Sequence, residues 1–227
     1  MNLFLPNQAG AVVQQRLLSH LNMKHGYCVF EFPNQIDAAC AFYRQHDFVV
    51  LFNQAEGNHD RTISRTSLRA AVKQFLGLAC AVDKDKIQLH AEAGQAPYAQ
   101  VDGERIFLSF SHDQNYAVAA IHRYQNIGID LLATAIDFDW REVARLYLSP
   151  VDNQGIANAP EELQAKEFAA CWAIHEARLK CCGLALQEWS AELDVQLNQC
   201  EVHVLHTHEN FALPKNLVMA LTFGFCK

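Results

Sequence analysis

At 227 residues the chain fits one compact domain, or two halves that share a core. Apolar residues make up 51% and charged residues 19%, a balance that supports a packed globule and excludes a disordered tail. The formal net charge of −7 argues against general affinity for nucleic acid, whose backbone attracts Lys and Arg, so any anionic partner must be met by a local patch.

In chain order, the apolar runs at 27–32 and 48–52 read as strands, with a helix between them at 36–44. From about 60 to 78 the period becomes helical. Ile63, Leu68, Ala71, Val72 and Phe75 fall on one side and Arg61, Arg65, Arg69 and Lys73 on another. Like charges four apart repel, so this one-sign column suits either solvent or a polyanion. Residues 106–110 and 116–122 read as a β-hairpin about Asp113-Gln114-Asn115. A strand then ends at Gly128-Ile129-Asp130, and helices follow at 140–148 and 161–182, the second closed by Gly183. Strands at 194–197, 202–207 and 217–223 complete the chain. The architecture expected is α+β: two similar halves related by a pseudo-twofold, 1–122 and 123–227, each a small antiparallel sheet packed on helices, with the active site between them.

The longest apolar stretches, such as 117–121 and 48–52, are far short of the roughly 20 residues of a membrane span. The start, Met-Asn-Leu-Phe-Leu-Pro, has no basic region ahead of an apolar run. A cytoplasmic protein without membrane contact is expected. The eight cysteines lack paired C-x-x-C spacing, and Cys181 and Cys182 are sequence neighbours. They read as small buried hydrophobes more than as a disulfide framework or a zinc site.

Four features carry chemistry. Trp172, Glu176 and Lys180 lie four apart and so form one column on the long helix. As a pair, Glu176 and Lys180 fit either a surface ion pair or a site holding a divalent cation beside a phosphate. Ile127-Gly128-Ile129-Asp130 places an acid at a strand end behind a glycine that admits another backbone. Asp130 and Glu176 together make a plausible pair for a hard cation, which for Mg²⁺ needs one or two carboxylates plus substrate phosphates. Ser109, Ser111 and His112 precede a turn, where they offer either local hydrogen bonds or donors to a phosphate. The fourth feature is the arginine column.

In this order and spacing, Ser111-His112, Gly128-Ile129-Asp130 and Trp172-x-x-x-Glu176-x-x-x-Lys180-x-x-Gly183 resemble the signature of 4′-phosphopantetheinyl transferases of the Sfp type. The segment with Arg61, Arg65 and Arg69 is similar to the arginine-bearing helix ahead of those motifs. The resemblance implies transfer of the phosphopantetheine arm of coenzyme A to a serine of an acyl or peptidyl carrier protein, dependent on Mg²⁺ and releasing 3′,5′-ADP. Carriers of fatty-acid, polyketide or nonribosomal-peptide assembly would be partners, and two fused halves would act as a monomer. It implies Asp130 and Glu176 as metal ligands and Glu176 and Lys180 as catalytic residues. Ser111, His112 and Arg61, with Asp130, Glu176 and Lys180, would bind coenzyme A.

Four positions depart from the pattern. Leu132 stands where many members have a second acid, His175 where a lysine precedes the glutamate, and Asp113 where a second serine follows the histidine. Gly94-Gln95-Ala96-Pro97 lacks the lysine of the G-K-P motif. These changes predict weaker coenzyme A binding, and His175 would make phosphate binding pH-sensitive. They also raise a competing function: a non-catalytic descendant that binds coenzyme A or a carrier protein. A metal site on His203, His206 and His208 would need a bent strand, since 206 and 208 share a face and 203 does not; exposed strand histidines are expected instead. The stretch 138–158, with Trp140 and Tyr147, is the expected docking surface for the carrier.

Overall fold

A computed structural model describes residues 27–54, 61–92, 95–203, 205–207 and 213–224. The strands are β1 (Tyr27–Glu31), β2 (Phe48–Gln54), β3 (Gln88–His90), β4 (Tyr98–Val101), β5 (Glu104–Asp113), β6 (Tyr116–His122), β7 (Asn126–Ala133), β8 (Glu201–His203), β9 (Leu205–Thr207) and β10 (Leu217–Gly224). The helices are α1 (Ile36–His46), α2 (Arg61–Cys80), α3 (Trp140–Tyr147), α4 (Pro150–Ala157), α5 (Glu161–Cys182) and α6 (Ala191–Leu197). The α+β class read from the sequence is therefore what the chain adopts.

The described strands form two sheets of unequal size. Seven run in the order β3-β4-β5-β6-β2-β1-β9, and three in the order β7-β10-β8. Most pairings are antiparallel, but β1 runs parallel to both β2 and β9. The larger sheet thus receives a strand from the far end of the chain. The sheets stack face to face, and a helical layer covers each outer side.

Burial on both faces explains why β2 and β6 are apolar throughout. Val49, Leu51, Ala117, Ala119 and Ile121 face α1 and α2, where they meet Phe75, Leu76 and Tyr43. The alternate residues Val50, Phe52, Val118 and Ala120 face the small sheet and meet Ile127, Ile129, Leu131, Leu221 and Phe223. The period of 2 in β7 leaves Gly128, Asp130 and Leu132 pointing the other way, toward α5.

Where Asp194–Leu197 was expected to be a strand, the chain forms α6. Ser190 caps it, its side chain accepting the Leu193 amide at 3.1 Å. Leu193 and Leu197, one turn apart, pack together on Leu179. Four residues of alternating polarity mimic a strand; the cap and the four-residue spacing decide otherwise. The expected strand at 202–207 is two, β8 and β9, which join different sheets.

Candidate active site

The seam between the sheets is closed by side chains. On its β5 side, β7 has no backbone partner, yet its amides are satisfied. Ile129 N–H donates to Ser109 Oγ at 3.0 Å, Leu131 N–H to Ser111 Oγ at 3.3 Å and Ala133 N–H to Asp113 Oδ2 at 2.7 Å. Alternate residues of β5 thus serve alternate amides of β7, which meets the rule that buried amides find acceptors. Asp113 is engaged in this ladder, which gives the residue that departs from the motif a structural role.

Above β7, α5 approaches at backbone contact. A Cβ placed on Gly128 would lie 1.8 Å from the Ala177 carbonyl oxygen and 2.7 Å from the Cys181 nitrogen. Thr222 of β10 holds the crossing, its hydroxyl donating to Ala177 O at 3.0 Å. This approach carries the Glu176 and Lys180 face of α5 down to Asp130. Lys180 Nζ donates to Asp130 Oδ1 at 2.6 Å and to the Ile129 carbonyl at 3.2 Å. Ser111 Oγ donates to the same Oδ1 at 2.6 Å.

Glu176 is half-buried beside this pair. Burial pushes its carboxyl above the ordinary range, the neighbouring Asp130 charge pushes it further the same way, and Lys180 offsets part of the rise. Two acids that feel each other, under one lysine, fit a hard cation that takes one or two protein carboxylates. Asp130 and Glu176 are the residues that would hold Mg²⁺. Among the described residues no cluster of three or more His, Cys, Asp or Glu is placed for a metal, so further ligands would be water or substrate.

A cavity of about 370 Å³ opens beside them, lined by Arg65, Leu68, Arg69, Phe110, Ser111, His112, Asp130 and Lys180. Four residues singled out from the sequence, Ser111, His112, Asp130 and Lys180, therefore converge on one cavity, with Glu176 behind. Arg61 opens α2, but its side chain lies outside the described residues. Arg65 and Arg69, which the basic column contained without being assigned a site, reach the cavity from the next turns of α2.

Two departures acquire physical reasons. Leu132, partly buried, packs against an apolar cluster with Trp140, Val143, Phe168 and Trp172 under α3 and α5, so the position of the lost acid borders hydrocarbon. His175 does not line the cavity of Asp130 and Lys180, which corrects the expectation that it tunes phosphate binding. It is 8% exposed and lines a separate cavity of about 60 Å³ with Ser149, Asp152, Arg178 and Trp189. Burial lowers its pKa. His203, expected to be exposed, is buried and lies against Phe223 with ring centroids 4.6 Å apart. The side chains of His206 and His208 fall outside the described residues.

Residues 126–217 match the family model described as the 4′-phosphopantetheinyl transferase superfamily. A curated relative, 4′-phosphopantetheinyl transferase HetI of Nostoc sp. strain PCC 7120, is 26% identical over 153 residues, which is 65% of this chain. The matched region spans 63% of that relative's length. The matched segment holds β7 with Asp130 and α5 with Glu176 and Lys180, the elements that build the site. Over residues 126–217, less than half of its length, the chain is similar to the 4′-phosphopantetheinyl transferase superfamily.

Proposed function

We propose that the chain transfers the phosphopantetheine arm of coenzyme A to a serine of an acyl or peptidyl carrier protein and releases 3′,5′-ADP. The observation that carries this reading is the convergence of Asp130, Lys180, Ser111 and His112 on one cavity roofed by Arg65 and Arg69, with Glu176 beside Asp130. Such a set suits a diphosphate: cations and donors on its oxygens, and paired carboxylates for a divalent ion.

In the reaction the carrier serine oxygen attacks the phosphorus that bears the pantetheine arm. The bond from that phosphorus to the oxygen of the adenosine phosphate breaks. A bound Mg²⁺ would supply charge neutralisation of the diphosphate oxygens. Glu176 would take the serine proton, a role that the upward push of burial on its pKa supports. Lys180 is placed to neutralise or protonate the departing phosphate, having a carboxylate partner to hold it in position. Ser111 and His112 lie where they would orient the phosphates, while Arg65 and Arg69 lie where they would meet the negative charge of the nucleotide side.

For the carrier, the surface at 138–158 offers Phe138 and Val151, 44% and 56% exposed. Trp140 and Tyr147 behind them are held by Phe168 and Trp172. The test is mass spectrometry of an apo carrier protein with coenzyme A and Mg²⁺. The expected outcome is a gain of one phosphopantetheine arm, lost in Glu176→Gln. Coenzyme A binding without any mass gain in the wild type would favour the non-catalytic reading, to which the lysines missing at Gln95 and His175 point.

A further inference from the structure

On the opposite side of α5 from the phosphate cavity, three cysteines gather where the helix ends against the small sheet. Cys182 closes α5, and Cys200 immediately precedes β8. Their sulfurs are 3.3 Å apart, inside ordinary sulfur–sulfur contact and little more than 1 Å from the roughly 2.05 Å of a disulfide bond. Gly224 lies against the group: a Cβ there would lie 3.2 Å from Cys200 Sγ and 3.3 Å from Cys181 Sγ.

The surroundings favour reaction at this pair. Arg178 stands within electrostatic reach of both thiols, and a cation there stabilises thiolate, the reactive form. Its Nη1 donates to Asn198 Oδ1 at 3.0 Å, its Nε has no hydrogen-bond partner among the described residues, and its backbone carbonyl receives Cys200 Sγ at 4.0 Å. A groove of about 650 Å³, lined by Arg178, Asn198, Cys200, Glu201 and Val202 among others, ends at the almost fully buried Cys200, so a small reagent reaches the pair at the more exposed Cys182. Cys182 is partly exposed, whereas Cys181 is fully buried.

We propose that Cys182 and Cys200 form a dithiol–disulfide couple, a modification site that takes hydrogen peroxide as oxidant. The Cys182 thiolate attacks one peroxide oxygen and the O–O bond breaks, giving a sulfenic acid and releasing water once the leaving oxygen is protonated. The Cys200 sulfur then displaces the sulfenic oxygen as a second water, and the S–S bond forms. Two thiols lose two electrons and two protons; the peroxide gains them. The bond ties the end of α5 to the start of β8 and closes the loop that contains α6.

The couple is independent of the transfer reaction and is tested on the full chain. After hydrogen peroxide treatment, intact mass should fall by two hydrogens and return with dithiothreitol. Cleavage after Glu188 and Glu192 separates the two cysteines, so their peptides should stay joined until reduced. The cross-link should raise the unfolding temperature by about 5 °C, because it restricts the unfolded chain. Cys181→Ala should keep the joined peptides, and Cys182→Ala should lose them. Joined peptides in Cys182→Ala, a Cys181–Cys182 bond in the wild type, stepwise over-oxidation without a cross-link, or a cross-link that fails to raise the unfolding temperature would each overturn the proposal. If a variant does not fold, fragmentation of the joined wild-type peptides between residues 181 and 182 assigns the bonded sulfur, and a bond at Cys181 would overturn the proposal.

Discussion

At the scale of single residues, Glu176 decides two properties through one side chain. Its carboxyl titrates above the ordinary range because it is half-buried and faces Asp130. The folded form therefore holds a proton that the unfolded chain has already released, so stability falls as pH rises from about 4.5 through the shifted range. Glu176→Gln removes that loss. Metal-free Glu176→Gln protein should unfold at a higher temperature than the wild type at pH 8, and the advantage should vanish near pH 4. Calorimetric scans at both values check this; an unchanged difference between them would contradict the burial of that charge. Added Mg²⁺ should stabilise the wild type more than the variant, since it binds the folded state.

The elements show which signals a sequence carries openly. The bounds of α5 were legible because Pro160, two glutamates in its first turn and Gly183 with φ +67° punctuate them. Glu176 and Lys180 could be put on one face from helix spacing, and the family resemblance singled out Asp130, but the strand expected to end at Asp130 runs on to Ala133, so Asp130 sits in the middle of β7. The depth of approach between α5 and β7 was not legible, because a glycine in a strand does not say whose backbone it admits. Gly128→Ala tests that contact. Its new methyl would overlap the Ala177 carbonyl, so α5 must lift and carry Glu176 and Lys180 away from Asp130. The expected cost is about 3 kcal/mol, measured by urea unfolding, with transfer lost even in the fraction that folds. The role of Asp113 was equally hidden: its acceptor is used by an amide twenty residues later.

For the whole molecule, the sheet–sheet layer sets the acid limit. His122, at the end of β6, accepts the Tyr124 and Gln125 amides on Nδ1 at 3.0 and 3.3 Å. It packs on Phe48 and on Phe223 of the small sheet, with ring centroids 6.2 and 5.4 Å away. Burial pulls its pKa from 6.5 to about 4. The unfolded chain takes up this proton first, so stability declines as pH falls from 6.5 to about 4 and levels below, by up to about 3 kcal/mol. Urea midpoints between pH 7 and pH 4 should show the decline, and His122→Asn should flatten it. Across 4.5 to 6.5 this slope opposes that of Glu176, so Glu176→Gln should make the acid-side decline steeper.

Backbone ladders are indifferent to sequence, but the junction of β5 with β7 is written in three side chains, Ser109, Ser111 and Asp113. The alignment of the two sheets is therefore under point-by-point genetic control, and each residue guards one identifiable proton. Ser109→Ala should cost about 1–3 kcal/mol for an amide stripped of its acceptor and should speed hydrogen exchange at Ile129 while leaving Ala133 slow. The same chemistry that stitches the sheets thus offers a gauge, amide by amide, of how firmly the cleft holding Asp130 is kept shut.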